Sequence, residues 1–236
     1  MKKNIMFFLL NMILIVQANI PLFNKMDPFS THQPILYSLA LQTEGPIIEF
    51  GCGYGSTDLL HDICKKKNRL LISLDDNLEW IDIFRKKYLN DGYNSDNSGW
   101  HQFYFVPGKK HSGDDDPGHW LKFLQEFTLL KIITFEICFV DQHPWLGRYE
   151  TVKYLKDKAK YIVLHDCDYF PLYKIFGKEI LATDRKNQIP GIYDFSDSFK
   201  YFKVFFPINP WPGETGPPTL VGSNFDYKLI NLLKMQ

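Results

Sequence analysis

Five short apolar runs, each closed by an acid or a glycine, constrain this chain most: PIIEF at 46–50, RLLISLDD at 69–76, QFYFVPG at 102–108, FEICFVD at 135–141 and KYIVLHD at 160–166. Runs of this length, bounded by Pro, Gly or charge, suit strands covered on both faces of a parallel sheet. The segments between them read as helices. Before the first run, Ser30 and Thr31 are cap-type residues ahead of Pro34, and Ile35, Leu36, Leu39 and Leu41 recur at helical spacing up to Gly45. Ser56 or Thr57 opens a second helix that runs to about Cys64–Lys66, where lysines suit the helix C-terminus. Residues 77–90 carry Leu78, Ile81, Ile83, Phe84 and Tyr88 among charges, and 119–130 and 148–159 complete the series, with Arg148 and Tyr149 read as helix-start groups. Strand–helix alternation at this spacing predicts right-handed crossovers and helices on both faces. FKYFKVFFP and PTLVGSNF are separated only by INPWPGETGP. That is too short for a crossover, so the last two strands are expected to pair antiparallel. The chain carries no internal repeat.

A length of 236 residues fits one core, and 45% hydrophobic with 16% aromatic residues supplies one. Lys plus Arg and Asp plus Glu both number 27, so, local patches aside, no net field draws in nucleic acid or an anionic membrane, and a neutral small-molecule or mixed-surface partner is expected. Cys52, Cys64, Cys138 and Cys167 show no paired spacing, which points to neither a zinc cluster nor a disulfide framework. At the N-terminus Lys2 and Lys3 precede an apolar run from Ile5 to Val16, with Ala18 at a cleavage-type position. This reads as a secretory signal over 1–18, with a membrane anchor as the alternative, and residues 19–236 form the domain.

The sequence GCGYG follows the first strand directly, with Glu49 two residues before it. A glycine-rich turn from first strand to first helix lies at the carboxyl edge of the sheet, where open α/β folds bind nucleotides against bare main chain. The dinucleotide fingerprint requires G-x-G-x-x-G, and Ser56 stands where its last glycine belongs, which disfavours a nucleotide-dependent oxidoreductase.

IIEFGCGYGST, LISLDD, FEICFVDQH and YIVLHD, in this order, resemble class I S-adenosylmethionine-dependent methyltransferases, most closely the small-molecule O-methyltransferases. The resemblance implies a Rossmann-like α/β fold: a seven-stranded, mostly parallel sheet with an antiparallel last strand. It implies that S-adenosylmethionine is bordered by Gly51, Gly53 and Gly55, that Glu49 helps hold its amino group, and that Asp75 accepts from its ribose hydroxyls, with Asp76 as the fallback. A carboxylate can take both donors of a vicinal diol. Asp114, Asp115 or Asp116 would face the adenine. A non-catalytic cofactor-binding domain is the other reading.

Asp141, Gln142 and His143 follow the fourth run, and His165, Asp166, Cys167 and Asp168 the fifth. Neighbouring strands lie under about 5 Å apart, so both sets converge beside the cofactor. Two chemistries remain open. Asp141, Asp166 and Asp168 could hold Mg²⁺ as in metal-assisted relatives, although Cys167 replaces the usual third ligand and is a poor partner for a hard cation. Otherwise His143 or His165 removes the proton from the acceptor, with a carboxylate such as Asp166 orienting it. Trp211 in the INPWPGETGP segment is placed as a lid over a small-molecule or saccharide acceptor.

Overall fold

Each central strand sends alternate side chains into two different apolar layers, and that alternation determines the architecture. The computed structural model describes residues 30–108, 117–167, 198–205 and 217–233. Its strands are β1 (Ile47–Phe50), β2 (Leu71–Asp75), β3 (His101–Phe105), β4 (Phe135–Val140), β5 (Ala159–Leu164), β6 (Tyr201–Phe205) and β7 (Thr219–Ser223). The helices are α1 (Gln33–Leu41), α2 (Thr57–Lys67), α3 (Leu78–Tyr88), α4 (Gly118–Glu126), α5 (Leu129–Ile132), α6 (Trp145–Leu155) and α7 (Lys228–Leu232). The leader over 1–18, Asp114 to Asp116, Asp168 and Trp211 lie outside the described residues.

The sheet order is β3-β2-β1-β4-β5-β7-β6, and the first five strands are parallel. β7 runs antiparallel to both β5 and β6, as the short connection between the last two strands requires. Ile48, Phe50, Cys138, Val140, Ile162 and Leu164 pack on one face against Trp120 and Leu124 of α4 and Val152 and Leu155 of α6. Their neighbours Ile47, Ile137, Phe139, Tyr161 and Val163 pack on the other face against α1, α2 and α7. Each fully buried large aliphatic side chain contributes about 1.5–3 kcal/mol, so two layers built from one set of strands hold the sheet from both sides. A third cluster, Ile81, Phe84 and Tyr88 of α3 with Phe103 of β3, closes the far end.

Two local expectations change. Ser30 and Thr31 do not cap α1: its first flanking residue is His32, with no side-chain capping bond, and Pro34 supplies the helical start. α6 begins at Trp145, which places Arg148 and Tyr149 within its first turns rather than at its start. Among the described residues no helix is long and apolar enough to cross a membrane.

Candidate functional site

The three glycines after β1 do three different things. Gly51 has φ +92, and a Cβ there would lie 2.7 Å from main-chain atoms of Asp141 and Gln142. What excludes a side chain at Gly51 is therefore the end of β4 pressing on the end of β1. Gly53 has room, its nearest contact for a Cβ being Ser56 Oγ at 3.9 Å. Gly55 turns its bare face to the residues before α1, 2.8 Å from Ser30 Oγ and 3.3 Å from the His32 ring. Of the three expected to border the cofactor, only Gly51 lines the cavity at this edge, and Gly55 is a packing glycine.

Glu49 also differs from expectation. It is fully buried and is not among the residues lining the cavity at this edge: its Oε2 accepts from Thr57 Oγ1 at 3.0 Å and Ser73 Oγ at 2.7 Å, and Thr57 in turn accepts from the Gly53 N–H at 2.9 Å. Its part is to tie the glycine loop to β2. Burial pushes its carboxyl up to about 8 against hydrogen bonds that act the other way. The native chain thus keeps a proton that the unfolded chain releases above about 4.5. The stabilising contribution is complete below that pH and fades as pH climbs towards 8. Glu49→Gln is expected to flatten the loss of stability over that interval in urea titrations, and an unchanged slope would place the proton elsewhere.

Asp75 stands at the end of β2 with both oxygens oriented by main chain, Oδ2 accepting from Cys52 N at 2.7 Å and Oδ1 from Asn77 N at 2.7 Å. Together with Gly51, Asp76, Trp80, Asp141 and His143 it lines a cavity of about 430 Å³, within the range that takes a cofactor-sized ligand. Burial raises its carboxyl to about 7, although the two N–H groups oppose the shift. Asp76, the fallback, is held by His119 Nε2 at 3.0 Å, so Asp75 is the better placed of the two.

At the β4–β5 edge the organising residue is Arg148, which composition and spacing had not singled out for this role. Its guanidinium donates to the carbonyls of Gln142 at 2.7 Å, His165 at 2.9 Å and Asp141 at 3.0 Å. It also pairs with Asp141 Oδ1 at 2.8 Å and Asp166 Oδ2 at 3.2 Å. The expected Mg²⁺ ligands Asp141 and Asp166 therefore already share a guanidinium, and a hard cation between them does not fit. Asp166 adopts φ +52, a left-handed conformation that a short acid tolerates, and Arg148 grips both its side chain and the carbonyl before it.

His165 is buried with both nitrogens engaged. Thr31 donates its hydroxyl to the Pro217 carbonyl at 2.6 Å, so its oxygen accepts from His165 Nε2 at 3.2 Å. Nδ1 lies 3.1 Å from Asp141 Oδ1. Burial alone would raise Asp141 and lower His165. The mutual attraction of the pair overrides both, with Arg148 assisting Asp141, so that Asp141 falls to about 2 and His165 rises. A ring that donates from both nitrogens has no lone pair to offer, which removes His165 from the role of proton acceptor. His143 is exposed and lines the cavity, while its carbonyl accepts from the buried Trp120 Nε1 at 2.7 Å. His32, 2% exposed, lies in edge contact with His165 at 4.4 Å between ring centroids. Burial first and His165 second lower it to about 3. Its place here was not readable, because the residues around it look like a helix start.

No protein-family model and no curated protein sequence matches the chain. Solved structures do. A human methyltransferase 10 domain containing protein is 14% identical over 81% of this chain and 78% of that one, with a TM-score of 0.45. An rRNA methylase from Streptococcus thermophilus is 9% identical over 82% and 97%, with a TM-score of 0.46. Spermidine synthase from Thermotoga maritima is 13% identical over 89% of this chain, which spans 63% of the synthase, with a TM-score of 0.46. The expectation that nucleic acid takes no part does not stand: equal totals of acid and base rule out only a net field, not a local basic surface. These are likenesses of fold alone, and the seven-stranded order with its reversed β7 is a Rossmann-like α/β sheet.

Proposed function

We propose that the protein binds S-adenosylmethionine along the carboxyl edge of β1, β2 and β4 and transfers its methyl group to an acceptor arriving on the Asp141–His143 side. The observation that carries this reading is Asp75: a carboxylate with each oxygen set by a main-chain N–H, facing a cavity beside the bare Gly51. Each oxygen retains a lone pair, so a ribose diol can donate to both. The sulfonium is already activated, and alignment of acceptor, methyl carbon and sulfur supplies much of the rate. Where the acceptor must lose a proton, His143 at the cavity wall is placed to take it and His165 is not.

Because Asp75 ionises near pH 7 in the free protein, cofactor affinity is expected to rise with pH, by about tenfold between pH 6 and 8. Asp75→Asn should remove that dependence and weaken binding roughly 10–100-fold, the loss of a charge-assisted hydrogen bond. Calorimetry with S-adenosylmethionine and with NAD measures both. Tight NAD binding with none of the sulfonium would overturn the reading. Transfer from labelled S-adenosylmethionine to a panel holding both RNA and small hydroxylated acceptors then identifies the acceptor class.

A further inference from the structure

His32 belongs to no expected function, yet it is among the most demanding side chains in the molecule. It is 2% exposed, and neither ring nitrogen has a well-directed hydrogen bond. It approaches the Gly55 carbonyl, which already accepts a better-directed bond from Gln33 Nε2 at 2.8 Å. A buried imidazole left in that state costs about 1–3 kcal/mol, which calls for a missing partner. The groups it faces are Asp141 and His165.

We propose that His32, Asp141 and His165 form a site for a first-row transition ion of the Zn²⁺, Fe²⁺ or Co²⁺ type. One ligand atom from each lies within 4.8 Å of the others. Donors bound at about 2.0–2.2 Å around a tetrahedral ion stand about 3.3–3.6 Å apart, so the widest pair draws together by up to about 1.5 Å as the ion binds. Two imidazoles and one carboxylate select a borderline ion over Mg²⁺, which demands oxygen. The outer shell is in place: Thr31 holds His165 Nε2, leaving Nδ1 for the ion, and Arg148 fixes Asp141. The ion replaces the Nδ1 proton now shared with Asp141. With His165 doubly protonated and His32 neutral, Asp141 and Asp166 balance Arg148 and His165. A divalent ion that displaces the Nδ1 proton leaves one positive charge, suited to an anionic oxygen at an open position. Asp141 lines the cavity and so provides an entry path for the ion and for that oxygen.

The test uses the untagged full chain, stripped with EDTA and titrated with Co²⁺. Expected are a stoichiometric visible d–d absorption and a rise in Tm with Co²⁺ or Zn²⁺ that Mg²⁺ does not reproduce. His32→Phe keeps a ring of similar size. It should weaken Co²⁺ binding by more than the roughly 10–100-fold typical of losing an outer-shell partner, with S-adenosylmethionine affinity unchanged. The site is refuted if wild-type protein gives neither band nor Tm rise, if a thiolate charge-transfer band dominates, or if His32→Phe binds Co²⁺ as tightly. A cobalt band without sulfonium binding would retain the metal site and refute the methyltransferase reading. Sulfonium binding without a cobalt band would do the reverse.

Discussion

Arg148→Met lowers the stability of the protein by about 3–5 kcal/mol, the loss expected when one partner of a buried charge network is removed. The aliphatic stem is kept, so the change isolates the guanidinium. What is lost is one group that joins three carbonyls and two carboxylates from the ends of β4 and β5. Asp141 and Asp166 are then left without their shared cation, and the left-handed Asp166 backbone loses its clamp. For a domain of this size the loss corresponds to a fall in Tm of roughly 6–20 °C. Arg148→Lys should recover little of it, because an ammonium cannot reach five acceptors in a planar fork. Urea unfolding of the three proteins measures the differences, and a loss under about 1 kcal/mol for Arg148→Met would show the network to be dispensable.

Gly51→Ala is the second large effect. The new methyl meets main chain on two residues at 2.7 Å, and main chain cannot swing aside as a side-chain tip can. The positive φ adds its own strain, so the combined cost is about 2–5 kcal/mol. Relief comes only by parting the ends of β1 and β4, which form the cavity floor, so sulfonium affinity should fall together with stability. Gly53→Ala, with its open surroundings, is the internal control and should stay within about 1 kcal/mol of the parent. Equal behaviour of the two variants would contradict the close approach of β4 to Gly51.

The sheet was legible because its strands are buried on both faces and therefore appear as unbroken apolar runs, as IIEF and FEICFV do. The place of Asp75 followed from the end of the second run. Arg148 was not legible: its partners lie at positions 141, 142, 165 and 166, and nothing local separates such an arginine from one facing solvent at a helix start. His32 was hidden for a related reason, since its neighbours carry the side chains of a helix cap while Thr31 is in fact spent on Pro217 and His165. Gly55 and Glu49 were read towards a ligand because the motif groups them with Gly51. The backbone turns them instead towards the first helix and β2.

The indole of Trp145 lies against the Arg148 guanidinium, 3.9 Å from ring centroid to the central carbon, while Trp80 forms part of the cavity wall. The molecule thus carries an intrinsic optical probe at each side of the edge. Quenching lost in Trp80→Phe reports occupancy on the nucleoside side, and quenching lost in Trp145→Phe reports rearrangement of the acids.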